Sequence, residues 1–265
     1  MRPDKPSDPA LHTAALPLGP MAYTDNGHPG PAVVLVHGMP GSHRDFRWLD
    51  PAMDADIRVV RVDLPGFGAT PLSTAPATDL AGRGLAVKEL LDALDIRGAL
   101  LVGHSMGGGV ATACATLTDR VAGLALIASL GPTPHRARRA HRPEPLARLL
   151  RTPLLGTLLL PLVRRGFTSA GFKETDRAVL QHTLDCVVGT SFADHRRHLK
   201  ALSLPTAVIW ADDDSFIEPA IFEALAEFAP TGPRLRFDTG GHNIQKSRAV
   251  EIAALLSDLA RTLHA

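Results

Sequence analysis

Short apolar runs alternate along this chain with longer stretches of helical spacing. Residues 32–36 (AVVLV), 57–62 (IRVVRV), 99–102 (ALLV), 124–127 (LALI) and 207–210 (AVIW) read as strands buried on both faces, and 235–237 (LRF) as a weaker one. Between them, residues 79–94 place apolar side chains at 80, 87, 90, 91 and 94, the spacing of one helix face. Residues 106–117 and 218–228 also read as helices, and 247–263 carries a stripe at 250, 252, 255, 256, 259 and 263. Strands alternating with helices predict βαβ units and a mainly parallel sheet, an α/β fold. After Ser129 the alternation stops, and no strand-like run returns until Pro205. The simplest organisation is a core from 1–131 and 205–265, with a helical insertion, 132–204, between two strands of one sheet.

Composition narrows the function classes. The chain has 265 residues, 45% hydrophobic and 21% charged, which is ordinary globular usage and argues against disorder. A net charge of +1 does not suit a nucleic-acid binder, so no nucleic-acid partner is expected. The charge is uneven, however: residues 132–204 hold 13 Lys/Arg against 5 Asp/Glu, a net +8, leaving −7 for the rest. That excess suits a solvated basic surface, a cap docked on an acidic core, or attraction of an anionic substrate or an acidic surface such as a membrane interface. Cys114 and Cys186 are too few for a disulfide scaffold or a four-cysteine zinc site. The first twenty residues lack the apolar core of a secretory signal. The most apolar stretch, 152–163, is too short to span a bilayer and is flanked by arginines. The expectation is a soluble, cytoplasmic protein with no transmembrane segment.

The chemistry gathers around one serine. Gly103-His104-Ser105-Met106-Gly107 follows directly on the run 99–102 and opens the helix at 106, so G-x-S-x-G stands at a strand–turn–helix junction. A serine presented on a tight turn needs small neighbours, which Gly103 and Gly107 supply, while Gly108 and Gly109 let the helix approach closely. The helix N-terminus turns free N–H groups toward the reacting atoms. Upstream, His37-Gly38-Met39-Pro40-Gly41-Ser42 follows the first strong strand. An oxyanion needs two donors there: Met106, the residue after the nucleophile, and Met39, since Pro40 has no N–H.

A serine hydroxyl needs a base, and the base needs an orienting acid. Of 12 histidines, His242 in Thr239-Gly240-Gly241-His242-Asn243 stands out, on a glycine-rich loop after the last strand. Such a loop reaches the carboxyl edge of the sheet, where the serine turn also lies. His104 adjoins the serine, but on a tight turn its side chain should point elsewhere. His195-x-x-His198 has metal-ligand spacing without further ligands, so a solvated helix face is expected and no metal. The acid should end a strand. Residues 128–143 contain no Asp or Glu, which leaves Asp212, Asp213 and Asp214 after the strand 207–210.

With GHSMG, HGMPGS, VDLPGFG (62–68) and GGHN in this order, the chain resembles the α/β-hydrolase superfamily, specifically its lidded serine esterase/lipase-like members. The resemblance covers 32–130 and 204–263. It implies an eight-stranded, mostly parallel sheet with a helical cap between strands six and seven. It places the acid at Asp214, with Asp213 the adjacent alternative because Ala211 stands where the family usually has glycine. The implied activity is hydrolysis of a carboxylic ester or related acyl substrate (thioester, lactone) through an acyl-enzyme, with catalytic Ser105, Asp214 and His242, oxyanion donors Met39 and Met106, and no cofactor. Relatives with the same triad cleave carbon–carbon bonds of diketone-type substrates or act as cofactor-free haloperoxidases, and a non-enzymatic binder of this fold would usually lack a triad member. Epoxide hydrolases and dehalogenases use an aspartate where Ser105 stands. The stretch 154–163 is expected to face the site, with Leu158, Leu159 and Phe167 lining an aliphatic pocket for a small-molecule acyl substrate.

Overall fold

A computed structural model describes residues 8–72, 77–140, 143–169, 171–172 and 176–265. The first seven residues of the polar N-terminal stretch, and Arg142, Lys173 and Glu174 of the basic segment, lie outside the described residues. The chain runs β1 (Leu11–Ala14), β2 (Met21–Asp25), β3 (Ala32–Val36), β4 (Arg58–Val62), α1 (Leu80–Ala93), β5 (Ala99–His104), α2 (Met106–Ala115) and β6 (Val121–Ile127). Five helices follow: α3 (Arg136–Ala140), α4 (Pro143–Arg151), α5 (Pro153–Ser169), α6 (Arg177–Gly189) and α7 (Phe192–Ala201). It closes with β7 (Thr206–Ala211), α8 (Pro219–Phe228), β8 (Arg234–Phe237), α9 (Ile244–Ser247) and α10 (Ala249–His264).

The eight strands form one sheet in the order β1-β2-β4-β3-β5-β6-β7-β8. β1 and β2 are antiparallel to their neighbours and the remaining pairs are parallel. Parallel strands need both faces covered, which is why β3, β5, β6 and β7 read as largely apolar runs, while β4 is broken by Arg58 and the buried Arg61. Alternate side chains divide between two layers. Val33 and Leu35 pack with Leu100 and Val102 against Phe222 of α8 and Leu256 of α10. Val34 and Val36 pack with Leu101 against Leu90 of α1 and Val110 of α2. The chain leaves β3 toward β4 on one side and later returns to β5 on the other. The strand order therefore reverses beside β3 and β5, and such a switch point opens a crevice at the carboxyl edge of the sheet.

The helices between β6 and β7 correct one expectation. α5 covers the apolar stretch, yet Leu154 is 82% and Leu158 75% exposed, with Leu162 also exposed. The cause is a glycine. A Cβ on Gly156 would collide with the Leu150 carbonyl and the Arg177 guanidinium, so this face of α5 closes onto α4. At about 100° per residue, Leu154 and Leu158 then fall on the opposite side. Val163 is buried, and Leu159 and Phe167 pack partly against Ala147, Leu150, Leu180 and Leu184.

His195 corrects another. It is not on a solvated face but fully buried, with Nε2 donating to the Leu130 carbonyl at 3.2 Å. His198 instead meets Thr116 Oγ1 at 3.0 Å, so the pair does not converge. Burial pushes His195 down to about 4 from 6.5. The unfolded chain takes up a proton there below about 6.5, whereas the folded chain stays neutral until about 4. The unfolded state therefore binds more protons between these values, and stability falls as pH falls through that window. Thermal melts of His195→Gln are expected to lose Tm less steeply than wild type between pH 7 and pH 5. Equal slopes would remove His195 from the acid sensitivity.

Candidate active site

Ser105 sits between the end of β5 and the start of α2 with φ 54° and ψ −124°. Such a conformation costs a non-glycine residue of the order of 1–3 kcal/mol and persists only where its surroundings enforce it. Here the Ser105 N–H donates to the Ile127 carbonyl at 2.9 Å, and its own carbonyl accepts from Gly108 at 3.0 Å and Leu130 at 3.3 Å. Close approach accounts for two neighbouring glycines. A Cβ on Gly107 would strike the His37 and Val36 carbonyls, and one on Gly103 would strike Gly108.

The hydroxyl thus held lies 2.9 Å from His242 Nε2. His242 Nδ1 lies 2.7 Å from Asp214 Oδ2. An ionised carboxylate only accepts, so the shared proton belongs on Nδ1 and Nε2 is left to accept from the serine. The other Asp214 oxygen accepts from the Phe216 and Ile217 N–H groups at 2.7 and 3.0 Å, and the carboxylate is fully buried. The three successive aspartates have separate partners. Asp212 pairs with Arg236, and Asp213 accepts from the Gly240 and Gly241 N–H groups, holding the loop that carries His242.

His104 lies under this loop, its Nε2 donating to the His242 carbonyl at 2.9 Å. Burial, with the neighbouring His242 ring, lowers it to about 3, which keeps the His104 ring neutral near pH 7. A second buried group was not foreseen. Arg83, wholly inaccessible to solvent, brings Nη1 to 2.7 Å from Met39 Sδ and 3.9 Å from Met106 Sδ, and donates from Nε to the Asp79 carbonyl. The side chains of both residues expected to supply oxyanion donors therefore rest on one cation. Cys114 and Cys186 are buried and pushed up to about 12 and about 11, so neither thiol is a competing nucleophile.

A cavity of about 380 Å³ opens in front of Ser105 and His242. Met39, Pro40, Phe172, Phe216 and Ile217 supply its apolar lining. Asp45, Arg47 and Lys246 supply charge. Leu158, Leu159 and Phe167 do not line it. Leu158 faces solvent, and Phe167 stands one layer back, its ring 5.9 Å from that of Phe172. The expected aliphatic pocket is also corrected: Phe172 packs 5.8 Å from Phe216, and Phe216 4.9 Å from the His242 ring. Nothing in the local sequence marked these rings, because the pairing joins residues far apart in the chain. Among the described residues no cluster of His, Cys, Asp and Glu has the makings of a metal site. No helix among them is long and apolar enough to cross a membrane.

Comparison with known proteins bears on this arrangement. A family model described as the alpha/beta hydrolase family matches residues 33–255. The chain is 32% identical over 244 residues to the dihydrolipoyllysine-residue acetyltransferase component of an acetoin cleaving system from Pseudomonas putida, covering 85% of this chain but only 62% of that protein. It is 29% identical over 267 residues to a 2-hydroxy-6-oxononadienedioate/2-hydroxy-6-oxononatrienedioate hydrolase from Burkholderia vietnamiensis, covering 90% of each. A haloalkane dehalogenase from Bradyrhizobium elkani USDA94 superposes with a TM-score of 0.75 over 96% of this chain and 98% of its own, at 21% identity.

Proposed function

The chain belongs to the alpha/beta hydrolase family, and from that membership we propose that it is a serine hydrolase cleaving a carboxylic ester or related acyl substrate. The observation that carries this is the continuous relay from Ser105 Oγ to His242 to Asp214, at 2.9 and 2.7 Å, on a strained strand-to-helix turn. In this reading Ser105 Oγ attacks the substrate carbonyl and its proton passes to His242 Nε2. Asp214 holds the imidazole tautomer and stabilises the imidazolium. The Met39 and Met106 N–H groups receive the negative charge that develops on the carbonyl oxygen. Collapse expels the alcohol, which takes the proton from His242. Water, deprotonated by the same imidazole, then attacks the acyl-enzyme, and the acid product leaves as Ser105 regains its proton. The helices between β6 and β7 act as the cap, and Gly171 and Phe172, between α5 and α6, contribute to the cleft wall.

Carbon–carbon bond hydrolysis of a diketone is the second reading, favoured by the identity with the Burkholderia hydrolase. The same serine and histidine serve both reactions, and the bond broken differs. Purified protein is expected to release p-nitrophenolate from a short-chain p-nitrophenyl ester. Turnover of a ring-cleavage diketone with no ester turnover would move the assignment to the second reading. Failure on both, together with no fluorophosphonate labelling of Ser105, would overturn the hydrolase reading altogether.

A further inference from the structure

The cleft contains a cation that the reaction just described does not use. Arg47 follows the short turn His43–Phe46 and lines the same cavity as Ser105 and His242. Its Nε is closed off from solvent, and among the described residues its side chain makes no hydrogen bond or ion pair. Other sheltered arginines have partners: Arg58 holds Asp25 at 2.7 Å, Arg61 holds Asp50 at 3.0 Å, and Arg83 donates to the Asp79 carbonyl. The buried Nε is out of a ligand's reach, but the two Nη groups are not closed off and take no acceptor from the described residues, so they are the donors an acceptor in the cleft would meet.

A second cation sits nearby. Lys246, on the turn after His242, lines the cavity too, with Nζ 3.5 Å from Asp45 Oδ1. That is a long contact, and the other Asp45 oxygen is engaged by the Ser42 N–H at 3.4 Å. Two cations against one carboxylate leave the lining with a surplus of one positive charge. The surplus stands within the cavity that holds the nucleophile rather than on the open surface, where salt and water would weaken it. Beside Asn243 and the catalytic-site side chains, Phe172, Phe216 and Ile217 give the lining an apolar and aromatic part. A substrate matching both parts carries an apolar or planar body and an anionic end.

We propose that Arg47, assisted by Lys246, forms a carboxylate-binding subsite, so that the acyl substrates of this enzyme carry a free carboxylate. A guanidinium offers a fork of N–H donors that fits two carboxylate oxygens, whereas a lysine contributes a point charge. This inference rests on the serine hydrolase reading for the chemistry but not for the binding, and the two are tested apart. Turnover is compared between a p-nitrophenyl monoester of a dicarboxylic acid and a neutral p-nitrophenyl ester of equal chain length. The ratio of kcat/KM, anionic over neutral, is expected to fall about 10- to 100-fold in Arg47→Gln, to fall less in Lys246→Gln, and to recover in part in Arg47→Lys. An unchanged ratio in Arg47→Gln overturns the subsite. Binding is measured by calorimetry with a dicarboxylic acid monomethyl ester on Ser105→Ala protein. There Kd is expected to rise at least about tenfold when Arg47→Gln is added. An unchanged Kd overturns the proposal even if no ester is turned over. Phosphate monoesters form a further arm, and preference for them over carboxylates would also overturn it.

Discussion

Ser105→Ala is expected to lower kcat by about 10⁶-fold on any substrate the wild type turns over, because the serine and its base act as a unit. Removing the hydroxyl leaves His242 with no proton to take, and only binding and the oxyanion donors remain to accelerate attack by water. The fold should survive, since the backbone hydrogen bonds of Ser105 to Ile127, Gly108 and Leu130 do not involve the side chain. A fluorophosphonate probe should label the wild type at Ser105 and leave the variant unlabelled. Activity in Ser105→Ala within an order of magnitude of wild type would remove Ser105 as the nucleophile.

Asp214→Asn is expected to cost about 10⁴-fold. An amide in this position donates to Nδ1, and the proton then moves to Nε2, which faces Ser105 and can no longer accept from it. The neighbours separate this effect from a general loss of negative charge. Asp213→Asn weakens the grip on Gly240 and Gly241 and should slow turnover much less, by shifting the His242 loop. Asp212→Asn breaks a partly exposed pair with Arg236 and should do least. Steady-state kcat for the three variants decides the matter. If Asp213→Asn proved the most damaging, the relay would run through the wrong carboxylate.

Much of this arrangement was legible before any coordinates. Ala32–Val36 is buried along its whole length, and a strand covered on both faces must read as a continuous apolar run. The Ser105 turn was legible for a related reason, since close approach of α2 requires glycines at fixed positions. β1 and β2 had no such signal. Leu11–Ala14 is a short, largely exposed edge, and the resemblance to a family, not periodicity, supplied the two extra strands. The three aspartates were indistinguishable by composition, because which carboxylate meets His242 depends on the register of the turn after β7. The leucines of α5 misled for a clearer reason. Hydrophobicity marks a face as apolar but not which side a glycine will close onto a neighbour. Arg47 carried no sequence signal, since its distinction is the acceptor it lacks.

Ser105 and His242 stand 137 positions apart in sequence, and Asp214 stands 28 before His242. Their contact closes only when β5, β7 and the loop after β8 occupy their places in one sheet. Helices such as α1 and α10 form from local contacts and pay little loop-closure entropy, whereas pairing of distant parallel strands is slow. Turnover therefore requires these distant strands to be in register, whereas helical content and collapse do not. For this chain, specific activity is a stricter criterion of the native state than circular dichroism or compactness.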